Sequence, residues 1–176
     1  MNQLLTLLIL LVGVATLAES LSTGAPQIVC YAGPDFLQPR HNVEPQSTTP
    51  SYKITSTCEI TNNTITVTIE MHKKKKEGYR GFLIAGVDNS DRAEMLGTFT
   101  PPGTDDEYQV QSCEGADYAT HINNSKKKYD LSLNWIVPRE AFGKKVCFRT
   151  VIVKRKDKWW NMDVVPCCEI PNEISS

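Results

Sequence analysis

The sequence predicts an all-β fold, an antiparallel sandwich, and three observations predict it. Thr64–Met71 alternates strictly, with Ile65, Val67, Ile69 and Met71 on one side and Thr64, Thr66, Thr68 and Glu70 on the other. That is the pattern of a strand with one dry face and one wet face. Residues 79–87, YRGFLIAGV, form the most apolar run after residue 18. The run is too short for an ordinary helix and is bounded by glycine and charge, so it reads as a buried strand. The rest of the chain breaks into short β-branched or alternating runs between turn signals, with almost no helical periodicity.

Taken in order, residues 1–18 carry no charge and hold the apolar run 4–14, with small residues Ala15 and Ala18 near its end. This predicts a secretory signal peptide. The run is shorter than a bilayer-crossing helix. No second such run follows, and the polar tail 169–176 lacks the hydrophobic end of a lipid-anchor signal. The expectation is a secreted, extracellular protein without a membrane anchor, with residues 19–176 forming one domain. Pro26, Pro34, Pro39, Pro45 and Pro50 interrupt the next stretch. About 24–50 is therefore expected to be an irregular wrap, tied down by Cys30.

Seven strands are expected. The first spans 52–58 and the second 64–71. The charged turn Lys73-Lys74-Lys75-Lys76-Glu77-Gly78 joins the second to the third, 79–87, which is central. The fourth, 94–100, carries Met95, Leu96 and Phe99 and stops at Pro101-Pro102-Gly103. The fifth, 129–137, turns Leu131, Leu133 and Trp135 inward and ends at Pro138. The sixth, 146–153, is rich in β-branched residues. The seventh, 159–165, returns after the turn 154–158. Adjacent residues of a strand face opposite sides, so Trp160 is expected inside and Trp159 outside as an exposed aromatic.

Cys30, Cys58, Cys113, Cys147, Cys167 and Cys168 all lie beyond the leader. An even count in an oxidising compartment reads as disulfides. The spacings contain no Cys-x-x-Cys, and no metal site is expected. Two sequons, at Asn62 and Asn123, agree with secretion. The sixth and seventh strands form a hairpin turning near Lys156-Asp157, which places Cys147 opposite the residues around Pro166. Cys147 is therefore expected to bond Cys167 or Cys168, and Cys58 the other; which to which is open.

Signals of catalysis are missing. There is no Gly-x-Ser-x-Gly, no His-Glu-x-x-His and no phosphate-binding glycine loop. His41, His72 and His121 are scattered, and His121 is expected to be a buried structural residue. Asp105-Asp106-Glu107 reads as a solvated loop. No enzymatic activity and no cofactor are expected.

The chain resembles the reelin-type (reeler) domain, as in the small secreted insect defence proteins. The matching residues are Gly24-Ala25-Pro26, Cys30, Pro39-Arg40-His41, Pro45-Gln46, Gly81-Phe82-Leu83-Ile84, Gly97-Thr98-Phe99, Cys113, Thr120-His121, Trp135, Pro138, Val146-Cys147-Phe148-Arg149-Thr150-Val151 and Trp160. Asn42 stands where the pattern has glycine, Ser51 interrupts a proline-tyrosine pair, and Ala85-Gly86 replaces glutamine-alanine. The resemblance implies an immunoglobulin-like sandwich, a binding role without catalytic residues, and a Cys30–Cys113 disulfide. Relatives that attach the domain to redox modules carry haem-ligand patterns or membrane helices that are missing here.

The net charge of −1 hides strong segregation. Twelve of the thirteen lysines fall in four clusters: Lys73, Lys74, Lys75 and Lys76; Lys126, Lys127 and Lys128; Lys144 and Lys145; and Lys154, Lys156 and Lys158, the last flanking Arg155. Residues 88–117 hold eight acids and one basic residue, Arg92. Successive turns of a sandwich alternate between its ends, so the first, second and fourth of these clusters share one end, the end that carries recognition loops in antibody domains. Converging basic loops attract polyanions. The expected partners are lipopolysaccharide and teichoic acid of microbial surfaces, with heparin-like glycans also accommodated and no nucleic acid. The competing reading is an extracellular matrix or adhesion module with a protein or glycosaminoglycan partner.

Overall fold

Burial selects which of these runs pair. The computed structural model describes residues 23–31, 43–71, 77–91, 94–162 and 166–174. Residues 1–22, His41, Asn42, His72 and the lysines Lys73 to Lys76 lie outside the described residues, as do the expectations placed on them. Eleven strands among the described residues form two antiparallel sheets. They are β1 (Tyr52–Ser56), β2 (Thr64–Met71), β3 (Gly81–Asp88), β4 (Met95–Leu96), β5 (Thr98–Phe99), β6 (Tyr108–Cys113), β7 (Ala116–His121), β8 (Leu131–Ile136), β9 (Lys145–Arg155), β10 (Lys158–Met162) and β11 (Cys167–Glu169). One sheet has the order β1-β2-β8-β5. The other runs β10-β9-β3-β7-β6, with β4 also paired to β3 and β11 to β9.

The alternation in β2 does what its pattern requires. Ile65, Val67 and Ile69 are fully buried. On the other face, Thr66 and Thr68 bond Asn134 and Ser132 of β8 at 3.0 and 2.9 Å. The tight turn before β2 places Asn62 and Asn63 at φ 50° and 60°. Asparagine tolerates that region, and positive φ at both central residues suits the twist of a hairpin.

All eight residues of β3 are buried, which accounts for a run that does not alternate. Phe82 and Ile84 point between the sheets, into a core with Ile65, Leu133, Trp135, Phe148 and Trp160. Leu83, Ala85 and Val87 point to the outer face, in a cluster with Tyr118, Val151 and Trp159 of the same sheet and with Val29 from outside it. Val29 belongs to a 3-10 turn, Gln27–Tyr31, which Cys30 ties to Cys113 at the edge strand β6. The N-terminal segment therefore completes a second apolar layer, and residues 43–48 continue it along β10. Gln46 N–H bonds the Trp159 carbonyl at 2.8 Å. Trp159 Nε1 donates to the Val43 carbonyl at 2.9 Å and Trp160 Nε1 to the Thr48 carbonyl at 2.8 Å. Trp159 is thus not the exposed aromatic expected from alternation. It faces outward from its sheet, but the wrap covers it to 3% exposure.

Three other expectations change. The fourth strand splits at Gly97 (φ +67°); β4 pairs with β3 and β5 crosses to pair with β8. The first strand stops at Ser56, and Cys58 at φ 51° lies in the turn that follows. The hairpin β6–β7 was not expected at all. The buried residues of β7 include Ala116, Ala119, Thr120 and His121, too small or polar to register as an apolar run. Because it adds two strands, the alternation of chain ends is preserved.

The vicinal cysteines divide as open in the sequence. Cys147 bonds Cys167, its direct partner across β9 and β11, and Cys58 bonds Cys168, tying one sheet to the other. Among the described residues no helix is long and apolar enough to cross a membrane.

Candidate anion-binding tip

Register places the basic loops. Gly81 of β3 lies opposite Val153 of β9, and Tyr79 bridges Lys127. Met71, at the end of β2, pairs with Tyr52, and its amide donates to Asp130 Oδ1 at 2.7 Å. The segment 126–128, the turn 154–158 and the residues flanking 72–76 therefore share one end of the sandwich. Asp88, Asp91 and Glu94 lie at the opposite end, beside Val146 and Lys145.

The charges at the tip are less free than their count implies. Lys126 and Lys128 are exposed, and so is Lys156. Lys154 pairs with Glu77 at 2.8 Å, and Arg155 with Asp157 at 2.7 Å. Lys158 lies 5.6 Å over the Trp160 ring, a cation–π contact. Asp105, Asp106 and Glu107 fold over this same end, because Tyr108 pairs with His121 beside Phe82. Lys127 leaves the anion-binding set. It is fully buried, and its Nζ donates to the carbonyls of Asn123 (3.1 Å), Arg80 (3.3 Å) and Ser125 (3.3 Å). The Glu107 carboxylate stands 3.8 Å away and also accepts from the Tyr129 hydroxyl. Burial pushes the Lys127 ammonium toward its neutral form, against the opposing pull of Glu107. A run of three lysines does not reveal this. The extended pairing with Tyr79 does, since alternation sends Lys126 and Lys128 out and Lys127 in.

Beneath the tip runs an aromatic series. Trp160, Tyr52, Tyr79 and Phe82 meet edge to face at 5.8 to 6.3 Å, and His121 continues it. Burial pushes the Tyr52 phenol up to about 12, with Glu77 adding to the shift. His121 Nδ1 lies 3.2 Å from the amide of Phe82, and its ring lies where a Cβ on Gly81 would fall, 2.8 Å away. This is a structural histidine packed on a glycine. Of the two sequons, Asn62 is exposed in its turn. Asn123 is half-buried, its Oδ1 accepting from the Ser125 amide at 2.9 Å. Among the described residues no group of three or more histidine, cysteine or carboxylate side chains could hold a metal ion.

The family model of the Reeler domain matches residues 35–167. The chain belongs to the Reeler domain family. A protein of Hyphantria cunea provisionally named for a defence role is 30% identical over 147 residues, covering 81% of this chain and 84% of that protein. A similarly named protein of Bombyx mori is 29% identical over 156 residues, 86% of each chain. The crystal structure of the human F-spondin reeler domain has a TM-score of 0.59 at 16% identity, covering 74% of this chain and 96% of that domain. The Reelin-N domain of F-spondin gives 0.57 at 15% identity, over 74% and 94%. At these identities the F-spondin structures speak to the fold alone.

The opposite end carries a defined ion-pair site. Asp88 is 5% exposed, and its Oδ1 accepts from the Ser90 amide (2.8 Å) and hydroxyl (2.7 Å). Lys144 bridges Asp88 (2.9 Å) and Glu94 (3.3 Å). The Ser90 bonds first, then Lys144, hold the Asp88 carboxyl down to about 2 from 3.8. A depressed carboxylate stabilises the fold at pH values above its unfolded pKa, and the contribution is lost as pH falls through the folded value. Asp88→Asn is expected to cost about 1–2 kcal/mol at pH 7. In urea titrations the gap to the unchanged protein should narrow below about pH 4 and close near pH 2. A gap independent of pH would show that the charge on Asp88 is not what matters.

Proposed function

We propose that this Reeler-family chain is a secreted, non-catalytic defence protein that binds anionic polymers of microbial surfaces through its basic tip. The observation that carries the reading is the shared end: Lys126, Lys128 and Lys156 are exposed there, and the chain enters and leaves the 72–76 segment at the same end. The leader at 1–18 and the defence naming of the two insect relatives support it. Lipopolysaccharide and teichoic acid present closely spaced phosphates that such a field would concentrate. Tip acids Glu77, Glu107 and Asp157 engage part of the positive charge, which places the weight on lysines outside ion pairs.

Replacing Lys73, Lys74, Lys75 and Lys76 by glutamine together with Lys126 and Lys128 is expected to weaken binding to immobilised lipopolysaccharide and teichoic acid by at least about tenfold at low salt. The difference should shrink at high salt, because exposed charges are screened over about 8 Å at physiological ionic strength. Equal binding by both proteins at low salt would remove the tip from the argument. Whole bacteria set against host matrix form the second arm. Preference for matrix would favour the adhesion reading, which Reeler-family membership also accommodates; heparin does not separate the two.

A further inference from the structure

Lys127 is the least exposed lysine a surface loop can present, and its neighbours are chemically specific. Its Nζ lies 3.4 Å from Oδ1 of the Asn123 side chain, as well as 3.1 Å from the Asn123 carbonyl. The carbonyls of Arg80 and Ser125 hold the nitrogen from other sides. The Asn123 carboxamide is polarised in the sense that favours attack at its carbon: the Ser125 amide donates to Oδ1 at 2.9 Å. A carboxylate, Glu107, stands 3.8 Å from the amine. Tyr129 orients that carboxylate through its hydroxyl, and Tyr79, fully buried, pairs with Lys127 through the backbone on both sides at 2.8 and 3.1 Å. An amine, a carboxamide and a carboxylate placed to relay a proton thus meet around a fully buried Lys127.

We propose that Lys127 and Asn123 become joined by an intramolecular isopeptide bond. The Nζ–Cγ bond forms, the Cγ–Nδ2 bond of Asn123 breaks, and the nitrogen leaves as ammonia. Nothing is oxidised or reduced. Glu107 takes one proton from the Lys127 ammonium, freeing the lone pair for attack, and delivers it to the departing nitrogen; the second ammonium proton leaves with the product as ammonium. Fixed geometry supplies the driving proximity, as it does when any bimolecular condensation is made intramolecular. Burial of Lys127 holds its amine in that geometry. The four-residue spacing closes a small ring, which would lock the 123–127 loop against Arg80 at the base of the tip. The same carboxamide is the acceptor of the Asn123 sequon, so the bond and a glycan at Asn123 exclude each other.

The test uses the full chain secreted to a bacterial periplasm, where disulfides form and these sequons stay unglycosylated. The intact mass is expected to fall one ammonia short of the sequence with its three disulfides. Fragmentation should place the link between residues 123 and 127. After unfolding, an amine-reactive label should modify Lys126 and Lys128 but not Lys127; this arm needs no variant to fold. Lys127→Gln and Glu107→Gln are expected at full mass. A labelled Lys127 in the unfolded protein overturns the proposal. So does an ammonia loss that persists in Lys127→Gln, which would place it in a succinimide at an asparagine. A link that forms at an unchanged rate in Glu107→Gln overturns the role given to that carboxylate.

Discussion

Removing the Cys58–Cys168 bond by the double change Cys58→Ala, Cys168→Ala is expected to cost about 5 kcal/mol, a large share of the stability of a domain this size. Two physical contributions add. The bond spans 110 residues of sequence, and in the chain-entropy model a loop of that length restricts the unfolded chain strongly. It also fastens the turn after β1, in one sheet, to β11, in the other, whereas the backbone ladders hold each sheet only within itself. Cys168 sits in the core between the sheets at 1% exposure, so its loss removes packing as well. The Cys147–Cys167 bond is the internal control. It spans 20 residues and joins strands already paired by hydrogen bonds. Its removal is expected to cost about 3 kcal/mol or less. Thermal unfolding followed by circular dichroism decides: the first variant should melt at least about 10 °C below the unchanged protein, and well below the second. The reverse order would mean that the two sheets are held together by packing alone.

Legibility in the sequence followed the physics of each segment. Thr64–Met71 alternated, and β2 took the face that its alternation assigned. The 79–87 run was continuous because β3 is covered twice, and a run without alternation cannot say what covers its second face. That cover is the irregular segment holding Val29, and the part along β10 that buries Trp159. Segments without periodicity carry no signal of where they dock. The β6–β7 hairpin escaped for another reason. A strand flanked by two others can be lined by alanine, threonine and histidine when close packing leaves no room for more. Gly81, for instance, leaves its space to the His121 ring. At the tip, the clusters of lysine were legible and their neutralisation was not. Glu77 reaches Lys154 across 77 positions of sequence, and Glu107 reaches Lys127 across 20. Ion pairs between loops depend on side-chain reach across the end they share, which alternation along single strands does not encode.

The second large effect is expected at Trp135. Its side chain is fully buried between the sheets, edge-on to Phe148 at 5.4 Å, with Nε1 donating to the Leu96 carbonyl at 3.0 Å. Two glycines make room for it. A Cβ on Gly86 would fall 2.8 Å from Nε1, and one on Gly97 would fall 2.5 Å from Cζ2. Gly97 also holds φ at +67° where the chain changes sheets, so alanine there would add backbone strain to the clash. Gly86 is one of the positions at which the sequence departs from the reeler pattern, and the indole seated against it is a local physical reason for glycine. Trp135→Ala is expected to cost about 3–5 kcal/mol, from lost burial and the cavity left behind. Trp135→Phe keeps a ring but leaves the Leu96 carbonyl without its donor, at about 1–3 kcal/mol. The discriminating measurement is a double-mutant cycle. Gly86→Ala alone should destabilise by about 1–3 kcal/mol through overpacking. In the Trp135→Ala background the added methyl enters vacated space, and its cost should fall to near zero or reverse sign. Additive costs in chemical denaturation would mean that Gly86 answers to something other than the indole, and that the two sheets do not lock through Trp135.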